Sequence, residues 1–334
     1  MKAIVNPRYG APRDVLELRD VDRPEPADHE VLVRVHASSV NPADWFLLVG
    51  RPYVLRLAFG LTRPRRPIRG QDMAGTVEAV GSGVTRWRPG AAVFGELPGG
   101  GAYAEYVVAT EDALTSAPAG LDLAEAAAVP LAGGTALQGL RDAGGVRTGH
   151  RVLVNGASGG VGTFAVQIAK SLGAHVTAVC SGRNADLVRS LGADEVIDYT
   201  RVDFTRGDER YDVIFDLVGN HTLSAFRRVL HRDGVYVSSS GMTGGPILGP
   251  LPYILRVMLS SLRGGPKMKA FAAKPNPEDL AALAEMIESG QVRPAIDRAY
   301  PLADTATALA RQGEGHARGK TVVTVAAAAP PSDS

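Results

Sequence analysis

The sequence predicts an α/β fold in which a doubly wound parallel sheet follows a smaller all-β unit. From residue 152 onward, short apolar runs alternate with helical patterns, an order typical of parallel sheets with helices on both faces. Before residue 120, apolar residues recur instead in the two-residue period of half-buried strands. The 334 residues are enough for two domains with separate cores.

The first unit reads as strands separated by turns. Residues 31–35 alternate in the strand period, and further strands are predicted over 70–80, 93–94 and 103–108. This arrangement favours a partly closed barrel of about 100 residues. From Leu123 the pattern becomes helical, with breaks expected at Pro130 and at Gly133–Gly134.

The second unit alternates strands and helices. Strands are predicted at 152–155, 175–180, 195–197, 211–216 and 235–239, with helices near 161–172, 184–191 and 221–230. Ligands bind such sheets beyond the carboxyl ends of the strands, which indicates one rim formed by 156–162, 181–183, 216–219 and 238–241. The following segment, 243–276, is either a substrate lid or interdomain packing. A helix over 277–290 and a strand over 321–325 close the chain.

Composition excludes several classes of function. The formal net charge is +1, which gives no electrostatic basis for binding nucleic acid, and we expect no such partner. The single cysteine, Cys180, rules out an internal disulfide and is expected in the core. The apolar run 247–262 is too short to span a bilayer, and the N-terminus has no signal-peptide core, so we expect a cytoplasmic protein.

One basic cluster stands out. It is interleaved with prolines and consists of Arg63, Arg65, Arg66 and Arg69. An exposed loop is the simplest interpretation of this pattern. The alternative is a cleft that holds an anionic group.

The most informative stretch is Val152–Gly162, which reads VLVNGASGGVG. An apolar strand leads into a glycine-rich turn, and helical spacing follows until Gly173. Free N–H groups and the dipole at a helix N-terminus favour a phosphate, and glycines let the backbone approach a pyrophosphate. Strand, turn and helix in this order predict a dinucleotide site.

The next strand predicts which dinucleotide is bound. It ends in Ser181–Gly182–Arg183, where an NAD site usually has an acidic residue; the first acid here is Asp186, inside the next helix. The small pair leaves room for a 2′-phosphate, which Arg183 neutralises. We therefore predict NADPH as the cofactor, with an ordinary surface arginine as the alternative interpretation of Arg183.

Five stretches together resemble the medium-chain dehydrogenase/reductase superfamily, specifically its zinc-free quinone oxidoreductase branch. They are NPAD (Asn41–Asp44), RGQDMAGTV (Arg69–Val77), GASGGVG (Gly156–Gly162), LGADEVIDY (Leu191–Tyr199) and GHARGKTVV (Gly315–Val323). The chain is most similar to the reticulon-interacting mitochondrial oxidoreductases and the chloroplast-envelope quinone oxidoreductase homologues. The resemblance implies a homodimer.

The same resemblance implies the domain organisation. It places a GroES-like β-barrel catalytic domain at 1–120, a Rossmann NADPH-binding domain at 121–272 and a return segment of the catalytic domain at 273–325. The low-complexity tail, 326–334, is expected to be disordered.

The resemblance also assigns the cofactor contacts. They are Thr135, Gly156, Ser158, Gly159, Gly160, Val161, Ser181, Arg183, Tyr199, Leu217, Val218, Gly219, His316, Ala317 and Arg318. Tyr199 is expected to close over the adenosine end, and the segment 316–318 to fold back over the cofactor. The alternatives are a partly buried tyrosine and, for Arg318, a surface arginine.

Related alcohol dehydrogenases hold a catalytic zinc by cysteine and histidine at places where this chain has Asn41–Asp44 and Gln71–Asp72. Since an amide is a poor zinc ligand, we expect no catalytic metal. Without zinc, hydride transfer to a quinone or an α,β-unsaturated carbonyl is favoured, because conjugation spreads the developing negative charge.

Four residues are candidates for the chemistry. Asn41 is expected to stabilise the oxyanion and Tyr53 to donate a proton, with Asp44 and Trp45 lining the substrate pocket. Trp45 or Tyr53 also suits stacking on a flat acceptor. A structural cap at Asn41 and simple packing of the two aromatic residues are the alternatives.

The predicted function is a zinc-independent NADPH:quinone oxidoreductase that acts on a small conjugated acceptor. An NADPH-dependent enone or 2-alkenal reductase is the first alternative, because it would use the same residues. A non-catalytic NADPH-binding protein is the second.

Overall fold

The computed structural model describes residues 1–239, 245–262, 264–315 and 317–325. The strands are β1 (Lys2–Val5), β2 (Glu17–Asp20), β3 (Glu30–Val40), β4 (Asp72–Val80), β5 (Ala92–Glu96), β6 (Tyr106–Thr110), β7 (Leu114–Ser116), β8 (Arg151–Asn155), β9 (His175–Cys180), β10 (Glu195–Asp198), β11 (Tyr211–Asp216), β12 (Leu230–Ser238), β13 (Lys267–Ala270), β14 (Ile296–Pro301) and β15 (Lys320–Thr324). The helices are α1 (Pro12–Val15), α2 (Pro42–Val49), α3 (Arg56–Phe59), α4 (Leu123–Ala126), α5 (Pro130–Gln138), α6 (Gly160–Ser171), α7 (Ala185–Ser190), α8 (Leu223–Arg228), α9 (Leu251–Ser261), α10 (Pro277–Glu288) and α11 (Thr305–Gly313). The predictions for His316, for the tail 326–334 and for the parts of the rim and lid at 240–244 and 263 lie outside the described residues.

The second unit contains a parallel sheet with the strand order β10-β9-β8-β11-β12-β13. The apolar residues Val152, Leu153 and Val154 of β8 are fully buried at its centre, as expected for a strand covered on both faces. The strand order reverses between β8 and β11, which creates a crevice at their carboxyl ends. The predicted Rossmann architecture is confirmed.

The first unit is built on a sheet with the order β14-β15-β3-β4-β5-β7, and β6 also pairs with β3. β15 runs antiparallel to β3, with Val322 opposite Ser39. The last strands of the chain therefore return to the GroES-like β-barrel of the N-terminal unit, and this part of the fold class is confirmed. The exact domain boundaries stay predictions.

Helix α5 corrects one expectation. It continues through Gly133 and Gly134, where a break was predicted. A Cβ at Gly133 would lie 3.0 Å from Leu283 Cδ1 of α10, so the glycine lets two helices pack closely. Packing against α10 thus overrides the weak helix propensity of glycine.

The segment after β12 contacts both units. The N–H groups of Tyr53 and Val54 donate to the carbonyls of Pro246 and Ile247, while α9 packs beside β13 of the parallel sheet. This arrangement favours interdomain packing over a free lid. Among the described residues, no helix has the length and apolar character needed to cross a membrane.

Candidate active site

A cleft of about 580 Å³ lies between the two units, at the carboxyl ends of β8, β9 and β11. Its lining residues are Pro42, Trp45, Phe46, Asn155, Gly156, Ser158, Gly159, Gly160, Val161, Gly162, Val179, Cys180, Ser181, Arg183, Asn184, Tyr199, Leu217, Val218, Asn220, Gln312, Gly313, Gly315 and Ala317. Most of the predicted cofactor residues and Trp45 therefore share one cleft. Sequence reasoning missed Phe46, Gln312 and the asparagines.

The glycine-rich turn forms the floor of this cleft. Gly156 has φ +88°, and its carbonyl accepts the N–H of Gly159 at 3.1 Å. A Cβ at Gly162 would lie 2.2 Å from that carbonyl, so only glycine permits the tight approach of α6. The turn delivers the chain to the N-terminus of a 12-residue helix, where free N–H groups fit a pyrophosphate.

Two buried polar residues, Asp216 and Asn155, hold the wall of the cleft beside β8 and β11. Asp216 is fully buried, and its Oδ1 accepts from Asn155 Nδ2 at 2.8 Å and from the N–H groups of Val218 and Gly219 at 3.1 and 3.0 Å. These bonds fix the loop after β11. Gly219 itself lies outside the cleft lining. An aspartate that accepts the N–H groups two and three residues later is typical of a turn, and the sequence contains this signal at Asp216.

Asn184 links the two phosphate-proximal turns. Its Nδ2 donates to Ser158 Oγ at 3.0 Å and to Ser181 Oγ at 3.3 Å. The glycine-rich turn and the end of β9 are thereby held at a fixed separation. Between them, Cys180 is buried as predicted, and burial raises the pKa of its thiol.

Two arginines line a groove that adjoins one end of the cleft. Arg183 lines both the cleft and an adjoining groove of about 320 Å³, and Arg318 lines the same groove. Neither guanidinium forms a hydrogen bond or ion pair with another described residue, whereas Arg311 nearby pairs with Asp297 at 2.9 Å. Two cations that have no partner among the residues described suit a second phosphate at this end.

Tyr199 and Asp198 border the same end. The Tyr199 side chain lines the cleft and is 53% exposed, so its ring is available to a ligand. Asp198, which sequence reasoning missed, lies so close to Gly182 that a Cβ there would be 2.5 Å from Oδ2. Hydrogen bonds from Thr200 lower the pKa of this carboxyl and keep it bound to its own turn.

Thr135 does not join these residues. It is buried within α5 and lies outside the cleft lining. The structure therefore gives no support for a direct contact between Thr135 and the cofactor.

A buried polar cluster lies beneath the turn and consists of Asn41, Asp72 and Lys320. Asn41 Nδ2 donates to Asp72 Oδ2 at 2.8 Å, while Lys320 Nζ donates to Asn41 Oδ1 at 2.6 Å and to Asp72 Oδ2 at 3.3 Å. Ser39 Oγ and the Leu131 N–H also donate to the Asp72 carboxylate. A Cβ at Gly160 would lie 3.1 Å from Lys320 Cδ, so this side chain runs directly under the cleft.

The cluster corrects the interpretation of Asn41. Both ends of its amide bond protein partners, and the residue is 2% exposed and absent from the cleft lining. Asn41 therefore orients the cluster in this geometry, and a direct contact with an acceptor is not supported. Among the described residues, no three His, Cys, Asp or Glu side chains are grouped as metal ligands.

Asp44 and Trp45 face different spaces. Trp45 lines the cleft, whereas Asp44 lines a second cavity of about 370 Å³, here called the barrel cavity. The other residues of the barrel cavity are Leu47, Ala58, Phe59, Arg65, Arg66, Arg69, Gln71, Pro98, Gly99 and Gly100. The prediction that Asp44 and Trp45 share one pocket is therefore corrected.

Two carboxyl groups near this cavity have perturbed pKa values. Burial raises the pKa of Asp44 to about 7, although its Oδ2 accepts the Asn41 backbone N–H at 3.0 Å. Burial also raises the pKa of Glu96, which pairs with Asp72 in the sheet register, to about 8.

Tyr53 lies outside both spaces. Its side chain is 41% exposed, and its ring lies near Arg51 and Arg56, with the Arg56 guanidinium carbon 4.8 Å from the ring centroid. The predicted role as proton donor therefore lacks the required position. Sequence reasoning could not detect this because the 3₁₀ turn at 53–55 directs the side chain.

Two family models match the chain. The model for the alcohol dehydrogenase GroES-like domain matches residues 27–119, and the model for zinc-binding dehydrogenase matches residues 191–323. Together they cover both units of the fold.

Curated relatives match over most of their length. The chloroplast envelope quinone oxidoreductase homolog of Arabidopsis thaliana is 35% identical and covers 97% of this chain and 98% of its own. The mitochondrial NAD(P)H oxidoreductase RTN4IP1 of Mus musculus is 33% identical, with 89% and 82% covered. The trans-enoyl reductase pgmF of Aspergillus terreus is 35% identical, with 89% and 86% covered.

Solved structures give the same result. The quinone oxidoreductase from Coxiella burnetii has a TM-score of 0.84 at 31% identity, covering 98% of this chain and 99% of its own. The Escherichia coli quinone oxidoreductase complexed with NADPH has a TM-score of 0.81 at 26% identity, covering 97% and 100%. The chain is therefore an enzyme of the medium-chain dehydrogenase/reductase superfamily and belongs with its quinone oxidoreductase-like members.

Proposed function

We propose that this enzyme is an NADPH-dependent oxidoreductase that transfers hydride to a quinone or another conjugated carbonyl without zinc. The observation that carries the proposal is the cleft, in which a glycine-rich turn opens α6, together with the groove at one end of it. Arg183 and Arg318 line this groove, and neither has a hydrogen-bond or ion-pair partner within the described part of the chain. The NADPH complex of the Escherichia coli relative supports the same cofactor for this chain.

The described residues fit a dinucleotide along the whole cleft. N–H groups at the start of α6 suit the pyrophosphate, Tyr199 suits the adenine and the arginines suit a 2′-phosphate. When bound, the reduced nicotinamide supplies the hydride. Trp45 and Phe46 border the cleft from the barrel side, where they exclude water and offer an apolar surface to a flat acceptor.

Zinc independence is supported by the side chains at the barrel side. Asn41 and Gln71 present amides, which are weak zinc ligands. Lys320 places a fixed ammonium group in the polar cluster, hydrogen-bonded to Asn41 and Asp72.

The cofactor assignment is tested by replacing Arg183 with glutamate. Thermal melts of the wild type should show a larger rise in Tm with NADPH than with NADH, since a ligand specific to the folded state stabilises it by mass action. Arg183→Glu should narrow that difference because it replaces a phosphate-binding cation with a like charge. Arg232→Glu is the control and should behave as the wild type. Arg232 is exposed and lies near the N-terminus of β12, at the sheet edge opposite to the cleft.

An unchanged difference in Arg183→Glu would remove the 2′-phosphate role. The Asp198 carboxylate lies beside Gly182, where it would favour the free ribose hydroxyl of NADH over a 2′-phosphate. A preference for NADPH therefore has to come from the arginines.

The trans-enoyl reductase among the relatives favours C=C reduction as a second candidate. NADPH consumption against quinones, enones, alkenals and simple ketones, with product analysis, separates the two activities.

A chelator control tests zinc independence, which is refuted if activity disappears on adding the chelator and returns with zinc. Tight NADPH binding with no acceptor-dependent oxidation would instead indicate a binding protein.

The homodimer and the cytoplasmic location stay predictions. The printed names of the relatives include both a chloroplast envelope protein and a mitochondrial protein, and neither location transfers to this chain.

A further inference from the structure

Several polar side-chain atoms buried at the barrel cavity have no hydrogen-bond partner in the described ranges of the chain. Arg69 is 4% exposed, and its Nε has no hydrogen-bond partner among the described residues. The carbonyl oxygen of the Gln71 side chain, Oε1, is also buried and unpaired within the described part of the chain. Both residues line the cavity. A buried guanidinium N–H left without an acceptor is costly, so this position suits a ligand that supplies one.

The charge of the cavity favours an anion. Its lining includes three arginines, Arg65, Arg66 and Arg69, against one acidic residue, Asp44. Asp44 accepts the Asn41 backbone N–H through Oδ2, while its Oδ1 is buried with no hydrogen-bond partner among the described residues. Arg65 donates to the Ala58 carbonyl at 3.2 Å, which holds its guanidinium in place.

Apolar side chains form the rest of the wall. Leu47 and Phe59 lie beside the arginines in the lining. The combination suits a molecule with a flat or aliphatic body and one anionic group.

The polar cluster lies between the barrel cavity and the cleft. At the inner side of the cavity, Asp44 bonds Asn41 and Gln71 precedes Asp72 in the chain. On the other side of the cluster, Lys320 passes beneath Gly160 of the cleft. Helix α2 contributes to both spaces, with Trp45 and Phe46 facing the cleft and Asp44 and Leu47 facing the cavity.

We propose that the barrel cavity binds the carboxylate of the acceptor, so that the substrates of this enzyme are conjugated carbonyl compounds bearing an anionic group. Arg69 is the specificity-determining residue, with Arg65 and Arg66 adding charge at the cavity wall. This inference rests on the proposed function, since it concerns the acceptor of the same reaction.

A matched pair of acceptors tests the assignment. The pair is 1,4-naphthoquinone carrying a propanoate side chain and its methyl ester, which differ in charge and not in the reacting ring. Wild-type enzyme should turn over the acid with a kcat/KM at least about tenfold above that of the ester, the size expected for one hydrogen bond to a charged group. Arg69→Met should reduce the acid-to-ester ratio by about the same factor.

Two further variants keep the test decisive if Arg69→Met folds poorly. The double variant Arg65→Met/Arg66→Met changes exposed residues and should lower the ratio severalfold. Arg63→Met removes an exposed arginine of the same loop that does not line the cavity, and it should keep the wild-type ratio.

A binding measurement separates this inference from the proposed function. Titration calorimetry without cofactor compares naphthalene-1-propanoate with its amide, with inorganic phosphate as competitor. Binding of the carboxylate that weakens in Arg69→Met supports the cavity assignment even if no acceptor is reduced, an outcome that would overturn only the proposed function. Equal turnover of acid and ester in wild type and variant, or binding of phosphate without the carboxylate, overturns the assignment.

Discussion

On the sheet side of the site, the floor of the cleft is formed by glycines and backbone N–H groups of one continuous stretch, Gly156–Gly162. On the barrel side, the polar cluster is formed by polar and charged side chains from distant parts of the chain. Asn41 and Lys320, for example, are 279 residues apart in sequence and 2.6 Å apart in space. The first arrangement presents main-chain dipoles in a geometry that glycine permits. The second places ions in the protein interior, where each one needs a partner.

This difference indicates where substitutions should be costly. The glycine-rich turn tolerates changes that leave its backbone intact, because no ion pair among the described residues holds it. The buried Asp216 carboxylate holds a different part of the cleft, the loop after β11. The barrel side has no such tolerance, since removing one ion leaves its partner buried and unpaired. Stability on the barrel side therefore depends on exact charge pairing, and chemical selectivity is expected to reside there too.

The largest expected effect is that of Lys320→Met. The substitution replaces lysine with an unbranched apolar side chain one atom shorter and leaves the Asp72 carboxylate buried without its cation. We expect the free energy of unfolding, measured by urea denaturation at pH 7, to fall by about 3–5 kcal/mol.

Two controls sharpen this prediction. Lys320→Met/Asp72→Asn removes both charges and should recover most of the loss. Lys170→Met breaks a partly exposed ion pair with Asp194 (2.8 Å) and should cost less than about 1 kcal/mol. Equal losses of unfolding free energy in Lys320→Met and Lys170→Met would contradict the prediction that the buried ion pair is worth more than the partly exposed one.

The next effect concerns pH and Asp44. Its carboxyl has a pKa raised from 3.8 to about 7, so the folded state holds a proton that the unfolded state releases. The contribution of Asp44 to stability is thus fully present below about pH 4 and is lost as pH rises to 7, by up to roughly 4 kcal/mol at ~1.4 kcal/mol per unit. Asp44→Asn should remove this contribution while its amide oxygen still accepts the Asn41 N–H.

Denaturation of both proteins at intervals from pH 4 to 9 measures the difference. The wild type should lose stability relative to Asp44→Asn as pH rises. The wild type should also lose stability relative to Glu96→Gln as pH rises. This loss should continue to a higher pH than for Asp44, because the pKa of Glu96 is raised to about 8. A difference between wild type and Asp44→Asn that does not vary with pH would contradict the burial argument.

The two sides also differ in how far the sequence predicts them. The strands and helices from 152 to 238 and the cleft residues from Gly156 to Val161 were predictable, because strand, turn and helix signals lie within short windows. Asp216 carries a local turn signal, but its bond to Asn155 depends on the pairing of β8 with β11. No local pattern reports such pairing.

The barrel side was predicted less well for the same reason. The sequence indicated Asn41, Asp44 and Tyr53 as candidates, yet their orientations follow from long-range contacts such as that of Lys320 with Asn41. The basic cluster was visible in the sequence, but burial of Arg69 alone among its four arginines was not. Side chains oriented by tertiary contacts therefore separate a correct family assignment from a correct site.

A smaller effect tests the backbone of the cleft. Gly162→Ala would place a Cβ 2.2 Å from the Gly156 carbonyl, so the turn or α6 must shift. We expect a loss of about 1–3 kcal/mol in unfolding free energy, together with a reduced Tm shift on adding NADPH. Gly134→Ala is the control, because nothing lies within 4 Å of its Cβ position in α5. Similar costs for the two variants would mean that the turn is looser than the cleft geometry requires.

The smallest effect is expected for Tyr53→Phe. A proton donor contributes about 10²–10⁴-fold to rate, and must lie within hydrogen-bond reach of the reacting group. Tyr53 lines neither the cleft nor the barrel cavity, and its ring lies near two arginines outside them. Tyr53→Phe should therefore keep kcat within about twofold of the wild type, with an unchanged pH profile, whereas Trp45→Leu should raise KM because Trp45 lines the cleft. If kcat of Tyr53→Phe instead fell a hundredfold or more, the turn at 53–55 and the segment at 246–247 bonded to it would have to move onto the acceptor during turnover. The barrel side would then contribute a mobile acid as well as fixed charges, and it could no longer be described as the rigid side of the site.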